Sequence, residues 1–306
     1  MNISIIIPTF NRNKMLCRTI SNILLFEHQY KELIIVDQTK DHDPETGHFI
    51  DSLIKSNRIK YIFVNSPNLP NARNVGINNS EGDIILFLDD DVEINEHTIP
   101  SHVSGFSESD IGCVTGKVTI INENKTQNVV LRNTGKIKNN LKSLFFFFFR
   151  KRASYVGRFG ILSDFTGEKK LPADTCIGCN MSFKKEVFSQ CGNFDLNYTG
   201  NAVREDTDMS IRLRKSGFKI IYLSDANIIH YMDNTGGTRT ATNENYWYTI
   251  FKNQCYFYLK NFNFSYLYIF FLQFFDLIRC KKSGVFSFSL FKKCFDDAKI
   301  MVINQL

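Results

Sequence analysis

The stretch Ile84-Ile85-Leu86-Phe87-Leu88-Asp89-Asp90-Asp91 most limits how this chain can fold, because five apolar residues run without a break into three carboxylates. A strand with no polar alternation is buried on both faces, as in a parallel sheet covered by helices. Acids at its C-terminal end lie where open α/β sheets bind their ligands. Three adjacent carboxylates repel one another, and protonation or a bound cation relieves that repulsion. Alone, the same residues would equally suit a solvated acidic turn, so the flanking sequence decides.

That sequence repeats the device. Ser4-Ile5-Ile6-Ile7 ends at Pro8-Thr9 and passes through Asn11-Arg12 into a helical pattern at Leu16, Ile20, Ile23 and Leu24. Leu33-Ile34-Ile35-Val36 ends at Asp37, residues 59–64 form a third apolar run, and Asn71-Ala72-Arg73-Asn74-Val75-Gly76 opens the helix before Ile84. Residues 111–118 and 220–223 are two further strands, and His230 closes the short run after the second. Strands alternating with helices imply right-handed βαβ units and a parallel sheet. Polar groups at several strand ends then gather on one edge, the expected site.

Composition narrows the class. At 306 residues, 43% hydrophobic and 22% charged, the chain suits one large globular domain or one domain with an extension. Eight cysteines without a paired framework, and an opening with no basic region before its apolar run, lead us to expect a reducing, cytoplasmic compartment. Cys176-Ile177-Gly178-Cys179 has half the spacing of a zinc site, but no second Cys-x-x-Cys accompanies it, so Cys179 is expected to be a small buried filler. The net charge of +6 is uneven: residues 251–306 hold eight Lys/Arg against three Asp, and residues 136–152 hold six basic residues and no acid. The remainder is net negative, which argues against a nucleic-acid partner and for a membrane surface.

Four of these motifs, in this order, resemble the family-2 inverting glycosyltransferases: Ser4-Ile5-Ile6-Ile7-Pro8-Thr9-Phe10-Asn11-Arg12, Glu32-Leu33-Ile34-Ile35-Val36-Asp37, Asn71-Ala72-Arg73-Asn74-Val75-Gly76 and the Asp triplet. The resemblance extends over roughly the first 230 residues. It implies the α/β fold called GT-A, a nucleotide-diphospho-sugar transferase fold with a mostly parallel central sheet flanked by helices. It also implies a nucleotide-diphosphate sugar donor (a UDP-sugar favoured), a saccharide or lipid-linked acceptor, and Mn²⁺ or Mg²⁺, since diphosphate oxygens are hard ligands. On this pattern Pro8, Thr9 and Asn11 offer hydrogen bonds to the base, Asp89 approaches the ribose, Asp91 holds the cation, and Asp90 is left without a role, free to point away. Asp37 either accepts from a ring N–H or forms an N-cap or Asx turn. The family commonly follows that Asp with a second Asp and Gly-Ser, whereas Gln38-Thr39 stand here, which leaves the base open. Arg73 and Asn74 are either polar or phosphate contacts near the nucleotide or a solvated first helical turn. His230 either completes the metal or diphosphate site or is structural. Gly236-Gly237-Thr238-Arg239 is a loop whose Arg239 would clamp the diphosphate bidentately.

Glu205-Asp206-Thr207-Asp208 begins a helix with basic residues in its last turn and Gly217 after its end. The acids could simply cap it. The resemblance makes Asp206 the catalytic base, with Glu205 and Asp208 as supporting or acceptor-binding groups.

Two segments stand outside this scheme. Phe145 to Phe149, with basic flanks, is too short to span a bilayer and suits a membrane-facing or acceptor-side insertion better than a core strand. Residues 262–278 are almost wholly aromatic and aliphatic, and cations follow them; this is either an interfacial helix on the cytoplasmic leaflet or a helical subdomain packed on the core. The expected organisation is a catalytic domain over 1–240 with an insertion at about 136–170, then a helical extension over 241–306. The expected activity is inverting sugar transfer in cell-surface polysaccharide, glycolipid or glycoprotein synthesis, by an enzyme peripheral on the inner face of the membrane. The alternatives are a non-catalytic nucleotide-sugar-binding scaffold and a metal-dependent nucleotidyltransferase, although the latter class usually carries a Gly-rich basic loop where Pro8-Thr9-Phe10-Asn11 stands.

Overall fold

The computed structural model describes residues 1–122, 125–128, 151–157, 160–231, 244–282, 284–285 and 287–305. Arg239, the Phe145–Phe149 run and about half of the expected insertion lie outside them.

Strand and helix alternate as the apolar runs demand: β1 (Ile3–Thr9), α1 (Lys14–Ile23), β2 (Glu32–Asp37), α2 (Pro44–Lys55), β3 (Lys60–Phe63), α3 (Leu69–Asn79) and β4 (Ile84–Leu88). Every residue of β1 and β4 is buried, as uninterrupted apolar strands between helices must be. β1 pairs parallel with β2, setting Thr9 opposite Asp37, and parallel with β4, setting Ile6 opposite Phe87. The ends of all three strands therefore share one edge. α3 starts two residues ahead of the expected Asn71, because the Asn68 side chain caps it by accepting from the Asn71 N–H at 2.9 Å.

Beyond β4 come β5 (Val92–Ile94), α4 (Thr98–Ser104), β6 (Ile111–Asn122), β7 (Lys125–Asn128), β8 (Ser154–Gly157), β9 (Gly160–Ser163), β10 (Leu171–Ala173), β11 (Asn180–Lys184), α5 (Glu186–Cys191), α6 (Glu205–Lys215) and β12 (Lys219–Tyr231). The sheet runs β3-β2-β1-β4-β11-β6-β12-β10. It is parallel from β3 to β4, β11 is antiparallel to both neighbours, and β6 and β12 are parallel again. The run at 220–223 and the one ending at His230 form a single strand, β12, whose register with β6 shifts between Leu223 and Ile228. Its far end turns onto β5 with His230 opposite Val92, one residue past the Asp triplet.

The buried Phe side chains among the described residues divide between two cores. Behind the sheet, Phe87 meets Phe183, Phe188 and Phe194 edge-on, the geometry that ring quadrupoles favour. The second core is built by α7 (Glu244–Phe262), α8 (Tyr266–Leu272), α9 (Phe274–Lys282) and α10 (Phe288–Ile303). It also takes in Tyr198, Ala202 and, from α6, Ile211, so these helices share apolar contacts with the segment leading into the Glu205-Asp206 motif. α7 is a packed helix, with Phe251, Cys255, Tyr256 and Phe257 wholly buried. Among the described residues no helix is long and apolar enough to cross a membrane.

Candidate active site

The acidic triplet is compensated from within the chain. Asn11 has a φ of 53°, a left-handed conformation that Asn tolerates better than most residues. The chain reverses there, and Arg12 returns to the sheet edge, buried, with Nη2 3.1 Å from Asp91 Oδ2 and Nε 3.6 Å from Asp90 Oδ1. The Thr9 hydroxyl donates to Asp90 Oδ2 at 2.6 Å. Asp90 does not point away, as the sequence reading left it free to do; it is the buried anchor of the triplet. Burial and the neighbouring Asp91 push its pKa up to about 7, against Arg12 and Thr9, which favour the charged form. The sequence alone marks Arg12 only as part of a motif. Its signal was available: three adjacent acids at the end of a buried strand need a cation, and Arg12 is the basic residue nearest the first strand end.

Asp89, Asp91 and His230 each present one ligand atom, all within 4.8 Å of one another. His230 Nε2 lies 2.8 Å from Asp91 Oδ1. The pairing of β12 with β5 and the Tyr231 N–H, which donates to the Asp91 carbonyl at 2.8 Å, fix this approach. Two carboxylates and an imidazole so close together fit a divalent cation with metal–ligand distances near about 2.1 Å. The donor set also suits Mn²⁺, which accepts both oxygen and imidazole.

Beside this cluster lies a cleft of about 330 Å³. Pro8, Thr9 and the Asp triplet line it from the sheet edge, and Asn201, Tyr246 and Thr249 line it from the opposite segments. The last three were missed by sequence reasoning, since nothing in the sequence around Asn201 or in residues 241–306 marks them as cleft residues. Gly200, with φ 63°, permits the approach: a Cβ there would lie 2.7 Å from Thr249 Cγ2.

Several expected nucleotide contacts sit elsewhere. Asn11 is exposed, tied through its N–H to Thr39 Oγ1, and acts on the site through its turn. Asp37 is fully buried and occupied: the Thr39 N–H donates to Oδ1 at 2.7 Å, and His42 Nε2 and the Tyr61 hydroxyl donate to Oδ2 at 2.6 and 3.2 Å. The Asx-turn alternative is therefore what the backbone adopts, and Gln38 lines the cleft instead. Asn74 is likewise committed, donating to the Phe194 carbonyl at 2.8 Å and accepting from the Phe194 N–H at 2.9 Å. Arg73 is 1% exposed and faces inward, donating through Nη1 to Glu205 Oε1 and through Nη2 to the Gly178 carbonyl at 3.1 Å. Neither residue is a solvated first turn, and neither lines the cleft.

The acids at the start of α6 separate. Glu205 is buried against Arg73; burial lifts its pKa to about 7 while Arg73 opposes the rise. Asp208 is wholly buried, and its carboxylate accepts from Arg212 at 2.9 Å, Asn261 at 3.0 Å and Lys260 at 3.0 Å. An acceptor-binding role does not fit a carboxylate so enclosed, and we correct that expectation: Asp208 ties α6 to α7. Lys260 also donates to Asp195, whose pKa, though burial would raise it, is brought down to about 2 by hydrogen bonds from Lys260 and Tyr256. Asp206 alone of the three stays partly exposed. Its Oδ2 accepts from the Gly178 N–H at 3.1 Å and its Oδ1 from the Thr207 N–H at 2.6 Å. It does not line the cleft itself, but the charges of both Asp89 and Asp206 act on Arg73.

The family model described as Glycosyl transferase family 2 matches residues 4–192. The poly(ribitol-phosphate) beta-N-acetylglucosaminyltransferase TarP of Staphylococcus aureus is 32% identical over 117 residues, 38% of this chain and 36% of that protein. The GalNAc(5)-diNAcBac-PP-undecaprenol beta-1,3-glucosyltransferase of Campylobacter jejuni is 35% identical over 95 residues, 30% of each chain. These matches span about a third of the relatives' lengths. Among solved structures, GalNAc-T7 with UDP, GalNAc and Mn²⁺ aligns with a TM-score of 0.59 at 16% identity, covering 85% of this chain and 50% of that one. S. aureus TarS 1-349 in complex with UDP-GlcNAc aligns with a TM-score of 0.54 at 14% identity, covering 86% and 68%.

Proposed function

The chain belongs to glycosyl transferase family 2 and has the GT-A fold, and on that premise we propose that it transfers a sugar, with inversion, from a UDP-sugar donor to an acceptor hydroxyl in cell-surface glycan synthesis. One observation carries the reading: of the three acids opening α6, two are locked into ion pairs and Asp206 alone stays partly exposed, its charge, like that of Asp89, felt by Arg73. The relatives' activities, an N-acetylglucosaminyl and a glucosyl transfer, favour the same class.

In this reading Asp206 accepts the proton of the acceptor hydroxyl as that oxygen attacks the anomeric carbon. The bond to the diphosphate breaks on the opposite face, which inverts the centre. Gly178 and Thr207 keep the carboxylate oriented. Pro8, Thr9 and Asp89 bound the donor's side of the cleft, and Arg12 holds Asp90 and Asp91 in place. A divalent cation held by Asp89, Asp91 and His230 would supply charge neutralisation to the departing nucleoside diphosphate. Residues 1–240 would form the catalytic unit, with 241–306 bracing it.

We further propose a peripheral position on the inner leaflet of the cell membrane. Leu267 and Phe271 are 76% and 71% exposed one turn apart on α8, Phe274 and Ile278 repeat that spacing on α9, and Arg279, Lys281 and Lys282 follow. Apolar side chains beside clustered cations complement an anionic lipid surface.

The test of the transferase reading is Asp206→Asn, with UDP-sugars as donors and product analysis. Loss of a general base costs about 10²–10⁴ in rate, with binding of UDP and MnCl₂ preserved. Near-native transfer by the folded variant refutes the assignment, and pyrophosphate as product would point to the nucleotidyltransferase alternative.

A further inference from the structure

We infer that Arg73 and Glu205 are positioning residues: they clamp the Gly178 backbone against Asp206 and so fix the carboxylate that takes the acceptor proton. The inference rests on Asp206 being the base.

The contacts form a continuous chain. Arg73, on α3, donates to Glu205 Oε1 and, at 3.1 Å, to the Gly178 carbonyl; the Gly178 N–H in turn donates to Asp206 Oδ2 at 3.1 Å. The other carboxylate oxygen accepts from the Thr207 N–H and hydroxyl at 2.6 and 3.1 Å. Both oxygens of Asp206 are thus held, one by its own helix and one by a backbone that Arg73 grips. Gly at 178 gives this contact its room: a Cβ there would lie 3.0 Å from Arg73 Nη2, tighter than ordinary packing, while Asp206 Oδ2 and Glu205 Oε1 at 3.5 Å would be in normal contact, so a side chain would press on the guanidinium first.

Arg73 is poorly placed for the alternative task of binding the nucleotide. Its guanidinium carbon lies 5.8 Å from the Phe87 ring centroid and 5.3 Å from that of Phe194, in the aromatic core behind the sheet. Burying a guanidinium there is costly unless a carboxylate and further acceptors meet it. Glu205 and the Gly178 carbonyl do so. The position is also electrostatically useful, because one fixed cation stands among Glu205, Asp89 and Asp206 and offsets their repulsion across the gap between the donor side and the base.

The experiment uses Arg73→Met/Glu205→Met, which removes both charges at near-constant volume and leaves neither ion unpaired. Binding is read by calorimetry with UDP and MnCl₂. Turnover is read as UDP release from whichever of UDP-glucose, UDP-galactose and their N-acetyl forms the native protein consumes fastest. The expected result is a Kd for UDP within about twofold of native and a kcat lower by about 100-fold, the cost of misplacing a reacting group by about an ångström. Adding Asp206→Asn to the pair should cost less than about threefold more, because the base is already out of place. A tenfold rise in Kd would assign Arg73 to the donor and overturn the inference. Native kcat in the double variant would also overturn it, making the pair structural only, while the base reading would stand. Native kcat in Asp206→Asn alone would remove the base and this inference together. Should the double variant not fold, Gly178→Ala presses on the same contact from the other side: loss of kcat at unchanged Kd supports the clamp, and native kcat refutes it.

Discussion

His102 offers a quantitative check on the network behind the Gly178 segment. It lies on α4, fully buried, with Nε2 2.8 Å from Asn180 Oδ1 and Nδ1 2.8 Å from Ser182 Oγ. The Asn180 amide nitrogen already donates to the Lys117 and Ala226 carbonyls, so Asn180 Oδ1 must accept. His102 therefore carries its proton on Nε2 and accepts from Ser182 at Nδ1, neutral and satisfied. Burial lowers its pKa from 6.5 to about 4, against the Asn180 hydrogen bond, which raises it. Above pH 6.5 this shift does not affect stability. Below it the unfolded chain binds a proton that the folded chain refuses, so stability falls as the pH drops from 6.5 to about 4. The whole interval is worth about 3 kcal/mol, of which about 2 kcal/mol is lost by pH 5. Asp90 and Glu205, each raised to about 7, act in the opposite sense, binding protons more tightly in the folded state. The informative quantity is therefore the difference between native protein and His102→Gln. Urea unfolding at about pH 7.5 and pH 5 should show the native protein's advantage shrinking by about 2 kcal/mol on acidification. An advantage that stays constant within about 0.5 kcal/mol would refute the neutral, buried assignment.

Asp91→Ala should abolish the thermal stabilisation by UDP with MnCl₂, about 2.7 kcal/mol at a hundredfold excess over Kd, while the apo protein melts near the native temperature because Arg12 keeps Asp90; persistence of the ligand shift would exclude Asp91 as a cation ligand. Lys260→Met should cost about 2 kcal/mol in urea unfolding, less than a fully broken buried pair because Arg212 and Asn261 still serve Asp208; a loss under about 0.5 kcal/mol would remove the strap between α6 and α7. Leu267→Ser/Phe271→Ser should lower sedimentation with phosphatidylglycerol vesicles and leave UDP binding unchanged; equal sedimentation of native and variant protein would set the membrane face aside.

The parts of the fold that depend on near neighbours in sequence were legible. Uninterrupted runs such as Ile84 to Leu88 and the polar residues at their ends predict parallel strands and a ligand edge, and β1, β2 and β4 run that way. What escaped depends on pairings distant in sequence. His230 reaches Asp91 because β12 bends onto β5, and no periodicity in residues 219–231 announces the bend. Asp37 and Asn74 looked like ligands because polar residues at strand and helix ends usually face a site. Here His42 and Tyr61 occupy one, and the Phe194 backbone the other. The C-terminal helices posed the hardest case, since burial and exposure alternate within them. α7 is a core helix whose Tyr246 and Thr249 line the cleft, whereas α8 and α9 keep Leu267, Phe271 and Phe274 outside.

The division of labour in Glu205-Asp206-Thr207-Asp208 was nevertheless open to a sequence argument. On a helix, residues three apart share a face and the next residue is rotated by about 100°. Glu205 and Asp208 therefore point the same way, and Asp206 points elsewhere. A face carrying two acids at the start of a helix with an amphipathic continuation can be buried only if cations meet it, and Arg73 and Lys260 do so from α3 and α7. The spacing thus leaves one acid free of the interior and commits two to it. That is what a general base requires: a carboxylate with access to its substrate, on a helix end held from both sides. By the same logic residues 241–306 are no appendage to the site. Lys260 neutralises Asp208, Tyr256 and Lys260 hold Asp195, and Thr249 closes on Gly200, so the helix that carries Asp206 is anchored through α7 as well as through the sheet.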